Sequence, residues 1–145
     1  MFPFAHIISG LIIGKLSGLY IPALIGAVLV DLDHLISYAK HKVLFKPKKL
    51  WKTLTATKDP FGDQRNFLHS FITWPILSLV VIIINFQIGL IFALAYLIHL
   101  LLDMTDNADF YPFYPLKFKI NGPMKYFSKE EFVFTLILLL IFILI

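Results

Sequence analysis

Five apolar runs separated by polar connections dominate this 145-residue chain and limit the folds that it can adopt. Hydrophobic residues make up 59% of the chain, and the mean hydropathy is +0.82. Soluble domains are usually nearer half apolar. A helix needs about 20 predominantly apolar residues to cross a bilayer. The pattern therefore predicts an all-α membrane protein, in which residues 1–145 form a single integral membrane domain with a bundle of four to five transmembrane helices.

The apolar runs set the expected positions of these helices. We place the spans at about 4–19, 21–37, 67–86, 88–104 and 127–145. Gly10, Gly14 and Gly18 recur every fourth residue in the first span, a spacing that lets a second helix approach closely. The apolar part of the last run is shorter than a comfortable span, so the sequence leaves open whether it crosses fully.

Ionisable side chains stand at the ends of the apolar runs. The block from Asp31 to His34 closes the second run, His69 opens the third, His99 and Asp103 close the fourth, and His6 lies near the N-terminus. If consecutive spans alternate in direction, all of these positions fall on one membrane face. Ionisable groups at membrane depth are costly and usually face a cavity or a partner. The convergence predicts a functional site at one end of the bundle.

The spacing of these residues suits a metal ion. His99 and Asp103 are four residues apart, and Asp31 and His34 three apart, so each pair shares one face of a helix. The chain has no cysteine, which excludes thiolate ligands. Imidazole and carboxylate ligands bind Zn²⁺ and Mn²⁺ well. The alternative for any one of these residues is a solvated helix end. We predict a metal site drawn from seven residues: His6, Asp31, Asp33, His34, His69, His99 and Asp103.

The basic residues indicate an orientation. Apart from Lys15, every lysine and the single arginine fall on the same face as the predicted site, and this face is therefore expected to be cytoplasmic. The connection 38–66 mixes lysines with Trp51 and other apolar residues. Such a segment is also compatible with nucleic-acid binding, but beside transmembrane helices it favours anionic lipid head groups. We expect membrane lipids as partners and no nucleic acid.

Taken together, these motifs make the chain resemble the membrane-bound metal-dependent hydrolases, the LexA-regulated inner-membrane putative hydrolase family. The resemblance rests on His6, the block Val30–His34, Arg65-x3-His69-Ser70 and His99-Leu-Leu-Leu-Asp103-x-Thr105, and covers the first four spans. The family often has a glycine shortly after the threonine, where this chain has Asn107-Ala108. The resemblance implies a multi-pass protein of the inner (cytoplasmic) membrane.

The leading hypothesis is metal-assisted hydrolysis of a phosphoester or lipid-like substrate at the cytoplasmic membrane surface. One or two divalent ions, Zn²⁺ foremost and Mn²⁺ or Mg²⁺ as alternatives, would activate water. Asp31 or Asp33 would act as general base, and Arg65 would clamp a phosphate oxygen. Two alternatives stay open: an ion or proton transporter, and a membrane protein that uses a metal only for stability. The far ends of the helices offer only Lys15, which disfavours a transport pathway.

Overall fold

The computed structural model describes residues 3–56 and 58–145, and its regular structure is helical. The helices are α1 (Pro3–Ser17), α2 (Tyr20–Val28), α3 (Leu32–Lys40), α4 (Pro47–Leu54), α5 (Thr73–Ile84), α6 (Phe86–Asp103) and α7 (Lys129–Leu144). A 3-10 turn, Leu29–Asp31, joins α2 to α3. Within the described residues, bridges of the β type are isolated pairs, Asp106 with Met124 and Phe110 with Ile120. The predicted all-α class is confirmed.

Fewer helices than predicted are long enough to cross a membrane. In the parts of the chain that the structure describes, two helical runs have the necessary length and hydropathy, Tyr20–Lys40 and Phe86–Asp103. Pro3–Ser17 and Thr73–Ile84 are apolar but shorter. The sequence predicted four to five full-length spans. By the length and composition of its helices, the described part of the structure supports two.

The third apolar run is shortened because its first residues form a turn instead of a helix. The backbone N–H groups of Leu68 and His69 donate to Asp33 Oδ2, at 2.7 and 3.2 Å. The N–H of Phe71 donates to the carbonyl of Pro112 at 2.7 Å. These bonds hold residues 67–72 across the ends of other elements, so α5 begins only at Thr73. The predicted span began at residue 67 because that prediction rested on hydrophobicity, which carries no information about this turn.

Helix α2 lies between α1 and α6, and small residues set the distance to both neighbours. A Cβ atom on Gly10 would lie 2.8 Å from Ala27 Cβ, and one on Gly26 would overlap the backbone oxygen of Phe92. Small residues allow such close helix contacts. The approach of α2 to α6 brings His99 Nδ1 to 2.7 Å from the carbonyl oxygen of Ala27, so helix packing directly orients a candidate ligand.

We expect Gly26→Ala to destabilise the protein by about 1–3 kcal/mol, the usual cost of overpacking a close contact. The neighbouring atom is backbone and cannot rotate away. Thermal unfolding in detergent, followed by circular dichroism, measures the effect. Ile25→Val is the matched control, since Ile25 is half exposed on the outer face of the same helix. Equal midpoints for the two variants would contradict this account of the packing.

Candidate metal centre

The structure brings six of the predicted site residues together at one end of the helices. They come from five different segments: His6 from α1, Asp31 from the 3-10 turn, His34 from α3, His69 from the turn before α5, and His99 and Asp103 from the last turns of α6. His6, His69, His99 and Asp103 are each at most 1% exposed. A cluster this deeply buried is different from the solvated helix ends that the sequence also allowed.

Asp103 lies at the centre of this cluster. Its Oδ1 is 3.2 Å from His6 Nε2, and its Oδ2 is 3.3 Å from His69 Nε2 and 3.5 Å from His99 Nε2. The His6 and His99 rings stack with centroids 3.7 Å apart. Three imidazoles from three segments therefore converge on one carboxylate.

His69 and His99 are held so that the same ring nitrogen of each points at Asp103. The Nδ1 of His69 lies 3.1 Å from Asp33 Oδ2, and that of His99 lies 2.7 Å from the carbonyl oxygen of Ala27. Because both acceptors require a proton on Nδ1, they leave Nε2 with a free lone pair. Both Nε2 atoms are buried and form no hydrogen bond within the described residues. Histidines that bind metals are oriented in this way.

Asp33 touches His69 instead of facing the cluster. Its Oδ2 accepts the backbone N–H groups of Asn66, Leu68 and His69 and also lies within hydrogen-bonding distance of His69 Nδ1, at distances between 2.7 and 3.2 Å. The sequence predicted Asp33 as a metal ligand or general base. The structure shows this oxygen shaping the turn at 66–69 and orienting His69, and a ligand or base role for Asp33 stays a prediction.

Asp31 and His34 border the cluster on its more open side. Asp31 Oδ1 is 3.8 Å from His99 Nε2 and 3.6 Å from His34 Nε2. The side chains of Asp31 and His34 are 28% and 21% exposed. Two groups of potential ligand atoms result, His6 with His99 and Asp103, and Asp31 with His69 and His99, each within 4.8 Å of one another. His99 is common to both.

The donor set and its spacing fit a divalent metal. Two ligands about 2.0–2.1 Å from a tetrahedral zinc ion lie roughly 3.3 Å apart. The distances from Asp103 to His6, His69 and His99 range from 3.2 to 3.5 Å. Buried imidazole nitrogens without hydrogen bonds are costly unless something occupies the space between them. The arrangement thus fits a zinc-sized ion bound by nitrogen and oxygen.

Arg65 is bound to Asp106, a residue that the sequence analysis did not single out. The guanidinium Nη1 and Nη2 donate to Asp106 Oδ1 and Oδ2 at 2.9 and 2.7 Å, and Nη2 is 3.4 Å from Asp103 Oδ1. Burial lowers the pKa of Arg65, but Asp103 and Asp106 outweigh that effect and raise it. The predicted phosphate clamp is therefore already engaged by a carboxylate pair. The available signal was the position of Asp106, three residues after Asp103 and just beyond the end of α6.

A cavity of about 310 Å³ opens beside the cluster. Asp31, His34 and Arg65 are among its polar lining residues, and α2, α3 and α4 contribute apolar ones, including Val28, Leu32, Leu35 and Leu54. A small substrate could thus reach the more open side of the site. The remaining histidine, His41, is not part of this cluster, because its Nε2 lies 3.1 Å from Asp63 Oδ2 in the basic connection.

Comparison with known proteins identifies the family. A family model described as "YdjM inner membrane protein" matches residues 1–145, and the chain belongs to this family. No curated protein and no solved structure matches it. The family match confirms the membrane class and supports the inner membrane as location. The hydrolase activity that the resemblance implied stays a prediction.

Proposed function

We propose that this member of the YdjM inner membrane protein family is a metal-dependent hydrolase, acting on a phosphoester or lipid-like substrate at the cytoplasmic side of the membrane. One observation carries the proposal. The Nε2 atoms of His69 and His99 are buried, form no hydrogen bond with the residues that the structure describes and lie within 3.5 Å of Asp103, while their Nδ1 atoms are held by fixed acceptors. Prearranged donors of this kind are expensive to build unless they bind an ion.

His6, His69, His99 and Asp103 would hold the ion. One oxygen of Asp31 would complete its ligand set or bridge to a second ion, and the other oxygen would stay free to accept a proton. Zinc suits this donor set best, with manganese or magnesium as alternatives. When bound, such an ion supplies Lewis acidity, which activates water and polarises an ester or phosphoryl oxygen. The more open side, at Asp31 and His34, leaves room for the substrate next to the cavity.

Asp31 is the better candidate for the general base. Its carboxylate is 28% exposed and lines the cavity, so it can reach a water molecule beside a substrate. The Oδ2 atom of Asp33, by contrast, is surrounded by four N–H groups or ring nitrogens of the turn at 66–69. A general base must lie within hydrogen-bond reach of the proton that it takes. Asp33 and Arg65 then act by positioning His69 and Asp103.

We further propose that α1, the run Tyr20–Lys40, α5 and α6 all cross the membrane, with α7 as a fifth, shorter span. The support comes from their outer faces: Ile83 of α5 is 76% exposed and Leu140 of α7 is 57% exposed, with other apolar side chains around them. Large apolar patches of this kind indicate contact with lipid or protein. Local thinning of the bilayer accommodates spans shorter than its core. The lysine-rich connections then lie with the site on the cytoplasmic side.

Elemental analysis of detergent-purified protein tests the proposal. After reconstitution with zinc or manganese and removal of the excess, we expect at least one equivalent of metal in the wild type. His69→Ala should lose it, since the substitution removes one of the two oriented imidazoles. His41→Ala is the matched control and should retain it, because His41 lies outside the cluster and pairs with Asp63.

The metal-loaded wild type is then screened against phosphomonoesters, phosphodiesters and carboxylic esters in mixed micelles. Hydrolysis that requires metal and fails in His69→Ala supports the assignment. A wild type that takes up no metal, or a His69→Ala variant with unchanged metal content, would overturn it. Metal binding without hydrolysis of any of these esters would contradict the hydrolase and leave a structural metal.

A further inference from the structure

The cavity beside the cluster contains a buried amide group that the proposed chemistry does not use. The side-chain nitrogen of Gln64 is buried and forms no hydrogen bond within the described part of the chain, and Gln64 as a whole is only 7% exposed. Gln64 lines the same cavity as Asp31, His34 and Arg65. A buried donor without a partner destabilises the protein, so a position like this one calls for an acceptor.

Several contacts hold Gln64 in this place. The two carboxylate oxygens of Asp59 accept the N–H groups of Phe61 and Gln64, both at 2.8 Å, and so fix the turn that carries the glutamine. The hydroxyl of Tyr38 donates to Gln64 Oε1 at 3.3 Å. With its oxygen bound by Tyr38, the amide has its NH₂ group available for a ligand. A prepositioned donor next to a catalytic centre is typical of a substrate-binding residue.

The apolar wall of the cavity continues onto the surface of the helices. Val28, Leu32 and Leu35 line the cavity and are also 39%, 41% and 49% exposed. They lie on the run Tyr20–Lys40, one of the two helices able to span a membrane. An apolar chain could therefore follow these side chains from the bilayer to the cavity without crossing water.

The donors that line the cavity suit an anionic head group. Lys58 lines the cavity and is exposed at its edge. The acidic lining residues are Asp31, Asp59 and Asp109. Asp59 accepts backbone N–H groups, and Asp109 lies 3.2 Å from Lys119 and accepts a hydrogen bond from Asn121. Asp31 lies beside His34 and His99, on the side of the metal-binding residues. The donors left toward the ligand are thus an amide and an ammonium group. Phosphate oxygens are suitable acceptors for both.

We propose that Gln64 binds the head group of an anionic single-chain amphiphile, whose hydrocarbon chain lies along Val28, Leu32 and Leu35. This inference rests on the proposed hydrolase and names its substrate class, a lipid phosphate that enters sideways from the bilayer. The Gln64 amide donates to a phosphate oxygen and Lys58 neutralises its charge, while the ester bond points toward Asp31 and the metal-binding side chains.

Native mass spectrometry of the full chain in detergent tests this with three probes. Oleyl phosphonate carries both a chain and an anion and has no ester bond to hydrolyse; oleyl alcohol has only the chain, and methylphosphonate only the anion. We expect the wild type to bind oleyl phosphonate at least about tenfold more tightly than either of the others. Gln64→Met, similar in size but without the donor, should weaken oleyl phosphonate about ten- to a hundredfold, the range for a hydrogen bond to a charged group.

Gln87→Met is the matched control. Gln87 is exposed at the start of α6, whereas the site residues of this helix lie at its other end. A second variant, Leu35→Trp, fills the apolar wall and leaves the amide intact. This variant should bind oleyl phosphonate more weakly than the wild type does and bind methylphosphonate with unchanged affinity. The thermal midpoint and the metal content of each variant are measured to recognise a misfolded protein. If Gln64→Met is misfolded, the binding data of Leu35→Trp decide the test.

The outcomes separate this inference from the proposed function. Selective binding of oleyl phosphonate that both Gln64→Met and Leu35→Trp weaken supports it. Equal binding of oleyl phosphonate and oleyl alcohol, or binding that neither variant changes, overturns it while metal uptake and hydrolysis of other esters still support the hydrolase. If methylphosphonate binds as tightly as oleyl phosphonate, the substrate is a water-soluble phosphoester and the lipid inference is wrong. Absence of metal from the wild type is the separate result that contradicts the hydrolase.

Discussion

Replacing Asp103 with asparagine is expected to remove the bound metal and abolish hydrolysis. The two oxygens of Asp103 lie within 3.5 Å of His6, His69 and His99 together. The amide has nearly the same shape but supplies a neutral oxygen and an NH₂ group that repels a cation. Removal of a residue that hydrogen-bonds to a metal ligand usually lowers the metal affinity about 10–100-fold. Loss of a central charged ligand should therefore cost more than about 100-fold.

Metal affinity of the Asp103→Asn protein is measured by competition with a chromophoric chelator, and hydrolysis is measured on the best substrate found for the wild type. Asp63→Asn is the matched control, since Asp63 pairs with Lys40 and His41 in the connection between α3 and α5. That control should bind metal as the wild type does. An Asp103→Asn variant that binds metal with wild-type affinity would show that the three histidines and Asp31 bind it without Asp103.

The members of the site could be predicted from the sequence because helix periodicity and topology act over the whole chain. His99 and Asp103 share a helix face by their spacing alone, and alternating spans bring them to the same end as His6 and His34. The division of roles could not be predicted. Asp31 and Asp33 look alike in sequence, yet one lines the cavity and the other accepts the N–H groups of the turn at 66–69.

Contacts between segments that are far apart in the sequence explain the features that the sequence analysis missed. Asp106 binds Arg65, which is 41 residues away in the sequence, and Gln64 accepts a hydrogen bond from Tyr38, which is 26 residues away. Neither pair lies on a common helix, so no periodicity links its members. The same applies to the start of α5, which depends on hydrogen bonds to Asp33 and Pro112. Hydrophobic runs therefore predicted where helices occur, and polar contacts between segments distant in the sequence determined where α5 begins.

The second large effect is expected for Asp106→Ala, which removes both short hydrogen bonds of the buried guanidinium of Arg65 and leaves its longer contact to Asp103. Removing one partner of a buried ion pair usually destabilises a protein by about 3–5 kcal/mol. Asp106 also accepts the N–H of Ala108 at 2.7 Å, so the turn after α6 loses a further bond. Chemical unfolding of the purified protein in detergent measures the loss. Asp109→Ala is the control, since Asp109 is 38% exposed and its ion pair with Lys119 is a surface contact.

A double variant separates the charge effect from the loss of packing. If the unpaired guanidinium causes the destabilisation, Arg65→Met combined with Asp106→Leu should be more stable than Asp106→Ala alone, because an apolar pair leaves no buried charge. Metal affinity should nevertheless fall in the double variant, since Arg65 Nη2 no longer lies beside Asp103 Oδ1 to orient that carboxylate. Restored stability together with wild-type metal affinity would contradict the positioning role of Arg65. A double variant less stable than Asp106→Ala would instead show that the ion pair itself stabilises the fold.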